Sequence, residues 1–201
     1  MTKVEEIANF IVSEHNENKK YINLPISLKP QNIEEAYLAQ NLFHKNVGRG
    51  NLGGYKIALA SKIQQELCGI NHPVAGGIFK NEIFNSPYVI EYKNYFGLGL
   101  EFELAMEISD DLTNDMGIFN KESIKKYISN IYAAFEMIID RDANYNDIDA
   151  YSMAADNAWC GGIVLGNPIE DWKEVNYKEQ TSVLYWNNEN PQNANLIDSN
   201  P

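Results

Sequence analysis

Apolar residues recur with helical spacing at the start of the chain and predict two helices there. Ile7 and Ile11 lie on one face of the first helical pattern, and Thr2 precedes it at a capping position. The segment "NLPISLKPQ" interrupts this pattern with two prolines. Asn32 begins a second helical pattern with acidic residues in its first turn, and "GRGNLGG" ends it. A helical part over residues 1–47 is therefore predicted.

Strand-like patterns dominate the rest of the chain, residues 48–201. Alternating or short apolar runs predict strands at "YKIALA", residues 76–79, residues 87–92, residues 98–108, "GGIVLG" and "TSVLYW". Two further helices are expected, one opened by Ser61 and closed by Gly69, and one over about residues 121–130 that precedes the apolar run "IYAAFEMII". No repeat or low-complexity linker divides the sequence, so one α+β domain over residues 1–201 is expected.

Composition narrows the classes of partner. Twenty-eight acidic against sixteen basic residues give a formal net charge of −12, which would repel nucleic-acid backbones and anionic membranes. No apolar run approaches the roughly 20 residues of a membrane-spanning helix. Cys68 and Cys160 form no CxxC pair or disulfide framework, which favours a reducing compartment. We therefore expect a cytoplasmic protein that binds neither nucleic acid nor membrane.

Two motifs of common cofactor sites are absent or out of context. Gly48, Gly50 and Gly53 match GxGxxG, but they follow a predicted helix and lead into a strand, the reverse of a dinucleotide fingerprint. The three histidines have no HxxxH spacing that would favour zinc. Cys160 has no identifiable base partner and fits a small buried residue better than a nucleophile. No organic cofactor is therefore expected.

The segment "LGLEFELAMEIS" combines an apolar face with a row of acids. Residues i and i+2 of a strand point to the same side, about 6.5–7 Å apart, so Glu101 and Glu103 would project together. An ordinary amphipathic strand with a wet face explains this pattern. A metal site explains it as well, because a divalent cation would remove the repulsion between the neighbouring carboxylates.

A third acid, Glu136, interrupts the apolar run "AAFEMIID". An ionised acid in such a run is costly unless it is paired or bound to a metal, so both a structural ion pair and a metal ligand remain open. Three carboxylates would offer only oxygen ligands. Such a set suits Mg²⁺ or Mn²⁺ rather than zinc.

Several motifs together resemble the 2-keto-4-pentenoate hydratases of the fumarylacetoacetate hydrolase superfamily. They are "GGYKIALASK", the Glu-x-Glu of "LEFELA", the isolated acid of "AAFEMIIDR" and "AADNAWCGGIVLG", in this order and at suitable intervals. The helical segment "NIEEAYLAQ" is also similar to that family. The combination covers the chain from about residue 30 to its end.

The resemblance implies a fold, a site and a reaction. The fold would be a mixed, barrel-like β-roll, with a divalent ion held by Glu101, Glu103 and Glu136. Lys56 would be the cationic or proton-transfer residue, although a surface strand residue is the alternative. Substrate would be bound by Lys56, Asp156 and Asn157. The reaction would add water to a 2-hydroxy-2,4-dienoate and give a 4-hydroxy-2-oxo acid.

Departures from the family keep other functions open. Lys80 and Asn81 replace an acidic pair, Trp159 and Cys160 stand where small residues are usual, and "DSNP" stands near the end where the family continues, so the chain is expected to be shortened. The same metal chemistry would serve an oxalocrotonate-type decarboxylase. A non-catalytic subunit of the same fold is the competing class. The family further implies a homo-oligomer, with a partner enzyme of the same pathway as another option.

Overall fold

The computed structural model describes residues 1–187 and 189–195, and the "DSNP" segment lies outside this part of the chain. The helices are α1 (Lys3–Asn16), α2 (Ile33–Asn46), α3 (Lys62–Leu67), α4 (Lys121–Ile124) and α5 (Ala150–Ala155). The strands are β1 (Leu52–Ala58), β2 (Val74–Phe79), β3 (Ile83–Asn85), β4 (Gly99–Ile108), β5 (Ile128–Ile138), β6 (Cys160–Pro168), β7 (Thr181–Leu184) and β8 (Gln192–Asn195).

The two N-terminal helices begin where the sequence predicts. Thr2 and Glu5 form a reciprocal capping box, in which the Thr2 hydroxyl accepts from the Glu5 amide and the Glu5 carboxylate accepts from the Thr2 amide. The Asn32 side chain accepts from the Glu35 amide at 2.8 Å and caps α2. Both helices pack with α5 around a core that includes Ile7, Ile11, Ala36, Ala39, Phe43, Ala154 and Ala155. Burying each large apolar side chain there contributes roughly 1.5–3 kcal/mol.

Three separate sheets carry the strands. Antiparallel β1 and β2 form the first, with Lys56 opposite Gly76. The second has the order β3-β6-β5-β4, in which β3 runs parallel to β6 and the other neighbours are antiparallel. Antiparallel β7 and β8 form the third. The molecule is therefore a mixed structure of helices and sheets, with β4 at one edge of the central sheet.

Two predicted elements differ from the structure. Residues 87–92 are not a strand, and the nearby strand is the short β3; Val89 is 87% exposed, so this apolar run does not pack against a sheet. The helix expected over residues 121–130 ends at Ile124, and after one 3₁₀ turn β5 already begins at Ile128. The apolar run predicted to follow belongs to this strand. Helix α5 and strand β8 were not predicted.

The apolar face of β4 is more exposed than its alternating pattern suggests. Leu100, Phe102, Met106 and Ile108 are 44%, 41%, 54% and 43% exposed. A hydrophobic face on a strand normally packs against the core. These four side chains are instead partly open to solvent.

No helix in residues 1–187 and 189–195 is long and apolar enough to cross a bilayer.

Candidate metal centre

Strand pairing brings the three predicted acids together. In the β4–β5 ladder Glu101 lies directly opposite Glu136, and Glu103 points to the same side of β4 two residues further on. One carboxylate oxygen from each of the three residues lies within 4.8 Å of the others. Glu101 is exposed and Glu103 partly exposed, whereas Glu136 is only 2% exposed. The cluster thus joins a buried acid on a central strand to two accessible acids on an edge strand.

The buried acid of this cluster contacts Lys56. The Lys56 Nζ lies 2.9 Å from the Glu136 Oε1, and both side chains are almost fully buried. That oxygen nevertheless has no hydrogen-bond partner of suitable geometry, so the contact is an ion pair and not a well-directed hydrogen bond. The alternative of Lys56 as a surface strand residue is wrong, since Lys56 is 8% exposed.

Burial and like charge raise the pKa values of two acids of the cluster, Glu103 and Glu136. Burial raises the pKa of Glu136 from 4.5 to about 7; the Lys56 ammonium opposes this shift, while Glu101 and Glu103 add to it. Burial, followed by repulsion from Glu101, also raises the pKa of Glu103. It is therefore unfavourable for all three carboxylates to be ionised at once, and a cation bound among them would reduce this electrostatic cost.

The donor set fits a divalent metal. Three carboxylates supply oxygen ligands only, which hard cations such as Mg²⁺, Mn²⁺ and Ca²⁺ prefer, and the open side of the cluster leaves room for further ligands. One oxygen of the Glu136 carboxylate, Oε1, lies 2.9 Å from the Lys56 Nζ, and the carboxylate has a second oxygen to offer an ion. The ion-pair interpretation of Glu136 is confirmed by its contact with Lys56, and its role as a metal ligand beside two further carboxylates remains a prediction.

Glu107, on the same strand, belongs to a different environment. Its carboxylate accepts from the Asn130 side chain and from the Tyr132 hydroxyl, each at 2.7 Å. These hydrogen bonds lower the pKa of Glu107, the opposite direction to Glu103 and Glu136. Glu107 is therefore a natural control for the cluster.

The two other predicted site residues are engaged inside the protein. Asp156 is 4% exposed; its carboxylate accepts from the Arg141 guanidinium at 2.5 Å and lies 2.5 Å from the His15 ring nitrogen Nε2. Asn157 is 1% exposed and bonds to the backbone of Gly77 in β2. Their substrate-binding role remains a prediction.

His44 is a buried polar residue to which the sequence analysis assigned no role. It is 8% exposed, and its Nε2 lies 2.6 Å from the Asn157 Oδ1. The signal was present: Ala36, Gln40 and His44 follow one another at i+4 spacing on the buried face of α2. Cys160, by contrast, is a small buried residue as predicted, and burial raises its thiol pKa to about 11.

The fold and this cluster define a mixed α and β protein with a candidate divalent-metal centre. In fold it is similar to 4-oxalocrotonate decarboxylase from Pseudomonas putida G7, complexed with magnesium and adipate, at a TM-score of 0.78 and 19% identity over 91% of this chain and 70% of that chain. The same enzyme complexed with calcium and acetate gives a TM-score of 0.70 and 19% identity over 83% and 63% of the two chains.

Sequence comparison leads to a related group of proteins. The chain is 24% identical over 165 residues to "2-keto-4-pentenoate hydratase" of Paraburkholderia xenovorans (strain LB400) and, to the same extent, to "2-keto-4-pentenoate hydratase 3" of Pseudomonas putida. Each match covers 81% of this chain and 60% of the relative, so the chain spans well under two thirds of their length. No profile of a known protein family matches. The resemblance to 2-keto-4-pentenoate hydratases that the sequence motifs indicated is confirmed.

Proposed function

We propose that this chain carries the metal centre of a hydratase that adds water to a 2-hydroxy-2,4-dienoate and produces a 4-hydroxy-2-oxo acid. The observation that carries the proposal is the cluster of Glu101, Glu103 and Glu136, with oxygens within 4.8 Å of one another. These three residues would hold Mg²⁺ or Mn²⁺. The relatives named 2-keto-4-pentenoate hydratase support the reaction class.

The metal and the protein would divide the chemistry between them. A divalent ion polarises the 2-oxo or 2-enol oxygen of a bound acid and stabilises the negative charge that develops there. The glutamates hold the ion, and Lys56 supplies the positive charge that the ion does not. Three carboxylates and one divalent ion sum to −1, a charge that would repel an anionic acid. The Lys56 ammonium, 2.9 Å from Glu136, brings the centre to neutrality.

Lys56 is also the proposed proton-transfer residue. Its amine is held on β1 beside the cluster, 2.9 Å from the Glu136 Oε1, where it could transfer a proton to an acid bound at the ion. The remaining substrate contacts are assigned to Asp156 in the proposal, although its carboxylate already pairs with Arg141. We further propose that the sheets form the mixed β-roll of the fumarylacetoacetate hydrolase type.

Metal binding is tested separately from activity by calorimetric titration with Mg²⁺ and Mn²⁺. Glu101→Ala, Glu103→Ala and Glu136→Ala are each expected to weaken binding at least 10-fold, because each removes one of three oxygen ligands. Glu107→Ala is the matched control on the same strand and is expected to change affinity less than 2-fold. Equal binding by all four variants would mean that the acids are only a solvated strand face.

Activity is tested by the ultraviolet absorbance of 2-hydroxypenta-2,4-dienoate with either ion, followed by identification of the product. Loss of the dienol with formation of the 4-hydroxy-2-oxo acid is expected, and chelation should abolish it. Lys56→Met should lower the rate by about 10²–10⁴-fold, the usual contribution of a positioned proton-transfer group. No turnover of any dienol or 2-oxo acid with either ion would refute the hydratase assignment.

Decarboxylation of an oxalocrotonate-type acid is the second candidate function. It is favoured by the similarity of the fold to 4-oxalocrotonate decarboxylase, whose structure carries magnesium together with the dicarboxylate adipate. The same metal centre would serve both reactions, since each passes negative charge onto the 2-oxo oxygen. Release of CO₂ from the dicarboxylic substrate, without water addition to the dienol, would select this function.

A further inference from the structure

Residues 157–159, which we call the left-handed segment, adopt an unusual backbone conformation. Asn157, Ala158 and Trp159 have φ angles of +55°, +47° and +58°. Non-glycine residues rarely enter this region, and three in succession persist only where the surroundings hold them in place. The segment directly precedes β6, and all three of its side chains are buried.

The Asn157 side chain joins this segment to β2. Its Oδ1 accepts from the Gly77 amide at 2.6 Å, and its Nδ2 donates to the Gly77 carbonyl at 2.9 Å. The Asn157 Oδ1 also lies 2.6 Å from the His44 Nε2, which must be the donor in this pair. The Asn157 side chain thus bonds to both the amide and the carbonyl of Gly77, as the backbone of a neighbouring strand would.

Gly76 allows the segment to approach this closely. A Cβ at this position would lie 2.4 Å from the Asn157 carbonyl oxygen, a distance that no side chain tolerates. Helix α2 holds the neighbouring residue of β2 in a similar way: the Tyr37 hydroxyl accepts from the Ala75 amide and the Gln40 side chain donates to the Ala75 carbonyl. Residues 75–77 are therefore fixed by side chains of two other elements.

The fixed part of β2 lies directly across from Lys56. In the β1–β2 ladder Lys56 is opposite Gly76, while Glu136 belongs to the other, four-stranded sheet through β5. The ion pair between Lys56 and Glu136 must consequently span two separate sheets. The Asn157 side chain also spans them, since it bonds to β2 and stands three residues before the first residue of β6, the neighbour of β5.

We propose that Asn157 is a positioning residue, held by His44, that fixes β2 and thereby sets the Lys56 amine against Glu136. This inference rests on the proposed function only for the catalytic role of Lys56. It assigns Asn157 a positioning role in place of the direct substrate contact that the family resemblance implied. The polar atoms of the Asn157 side chain are already engaged with Gly77 and His44, and the residue is 1% exposed. A displacement of about 1 Å at a reacting group costs on the order of 100-fold in rate.

Chemical labelling of lysine, read by peptide mass mapping, tests the proposal without reference to turnover. Lys56 is buried and should be protected from an acylating reagent in the unaltered protein. Asn157→Ala should raise the labelling rate of Lys56 at least 10-fold. Asn157→Asp keeps the shape of the side chain but places a carboxylate oxygen against the Gly77 carbonyl, where Asn157 Nδ2 donates at 2.9 Å, so it should also raise the labelling rate of Lys56. Where the alanine variant does not fold, the aspartate variant decides.

Ser152→Ala is the matched control for general loosening. Ser152 is also 1% exposed and accepts from the Leu24 amide at 3.1 Å, but it does not bond to β2. It should leave Lys56 protected. Unchanged Lys56 labelling in a folded Asn157 variant, or an equal rise in Ser152→Ala, would overturn the proposal.

Kinetics then separate positioning from substrate contact. Asn157→Ala should lower kcat by about 10–100-fold, with KM and Mg²⁺ affinity within about 3-fold of the unaltered protein. A large rise in KM with Lys56 still protected would instead make Asn157 a substrate contact and overturn the inference. If the unaltered protein binds no metal and turns over no substrate, the proposed function fails, whereas the labelling result still decides whether Asn157 positions Lys56.

Discussion

Replacing Lys56 with methionine should change how stability depends on pH. The Lys56 ammonium lowers the pKa of Glu136 against the larger effect of burial, which together place it at about 7. Methionine has a similar length and no charge, so the variant keeps the packing and loses the opposing charge. The pKa of Glu136 should therefore rise above 7 in Lys56→Met, because burial and the two neighbouring acids are then unopposed.

The magnitude follows from proton linkage. An acid whose pKa is raised in the folded state stabilises the protein below its ordinary pKa, and that stability is lost as the pH rises to the folded pKa. For Glu136 in the metal-free protein, the rise from 4.5 to about 7 corresponds to a loss of about 3 kcal/mol across this range. Above pH 7 the loss stops in the unaltered protein, whereas in Lys56→Met it continues at about 1.4 kcal/mol per pH unit until the pH reaches the higher pKa of Glu136 in that variant.

Denaturant unfolding in the presence of a chelator, at pH values from 5 to 9, measures this difference. The free energies of unfolding of the two proteins should differ by a constant amount below pH 7 and diverge above it, until the pH reaches the raised pKa of Glu136 in the variant. Glu136→Gln, which cannot titrate, should lack this contribution at every pH. A constant difference between Lys56→Met and the unaltered protein up to pH 9 would refute the reasoning.

Three further predictions concern residues outside the carboxylate cluster. Asp156→Asn removes the charge facing the buried Arg141 and should lower the free energy of unfolding by about 3–5 kcal/mol in denaturant titrations. The control Asp142→Asn, at an exposed ion pair, should lower it by under about 1 kcal/mol. Equal losses in the two variants would contradict this prediction. Gly76→Ala should cost about 2 kcal/mol or more in thermal unfolding, and an unchanged midpoint would show that the left-handed segment moves freely. Burial lowers the pKa of His44 below its ordinary value of 6.5, so its contribution to stability should be lost as the pH falls below 6.5. In His44→Gln the free energy of unfolding should depend less on pH below 6.5. An unchanged pH dependence in this variant would show that His44 is not the source of the loss.

The helical part and the carboxylates of the cluster were predictable because their signals are local. Capping at Thr2 and Asn32 depends on residues three positions away, and both helices begin there. The Glu-x-Glu spacing in β4 likewise places Glu101 and Glu103 on one side of a strand whatever the strand packs against. Glu136 was predictable because it is an isolated acid among apolar neighbours in the sequence.

Features that depend on distant parts of the chain were not predictable. Alternation in β4 indicates which residues share a face but not which face meets the core, and the exposed Leu100 and Phe102 show the difference. The burial of Lys56 depends on Glu136 eighty residues later in the chain. The strand expected at residues 87–92 is absent for the same reason, since its apolar pattern does not say whether a sheet lies beside it, and Val89 is 87% exposed.

The position of β4 at the edge of its sheet has a consequence for local unfolding. Within residues 1–187 and 189–195 this strand has one neighbour, β5, and the three acids of the cluster lie on both members of the pair. An ion bound there would cross-link the two strands, so β4 could detach only after the ion is released. At an ion concentration 100 times the dissociation constant, hydrogen exchange of the β4 amides bonded to β5 would slow by about 100-fold. The fraction of molecules in which β4 is detached from β5 would then fall as the concentration of the ion rises.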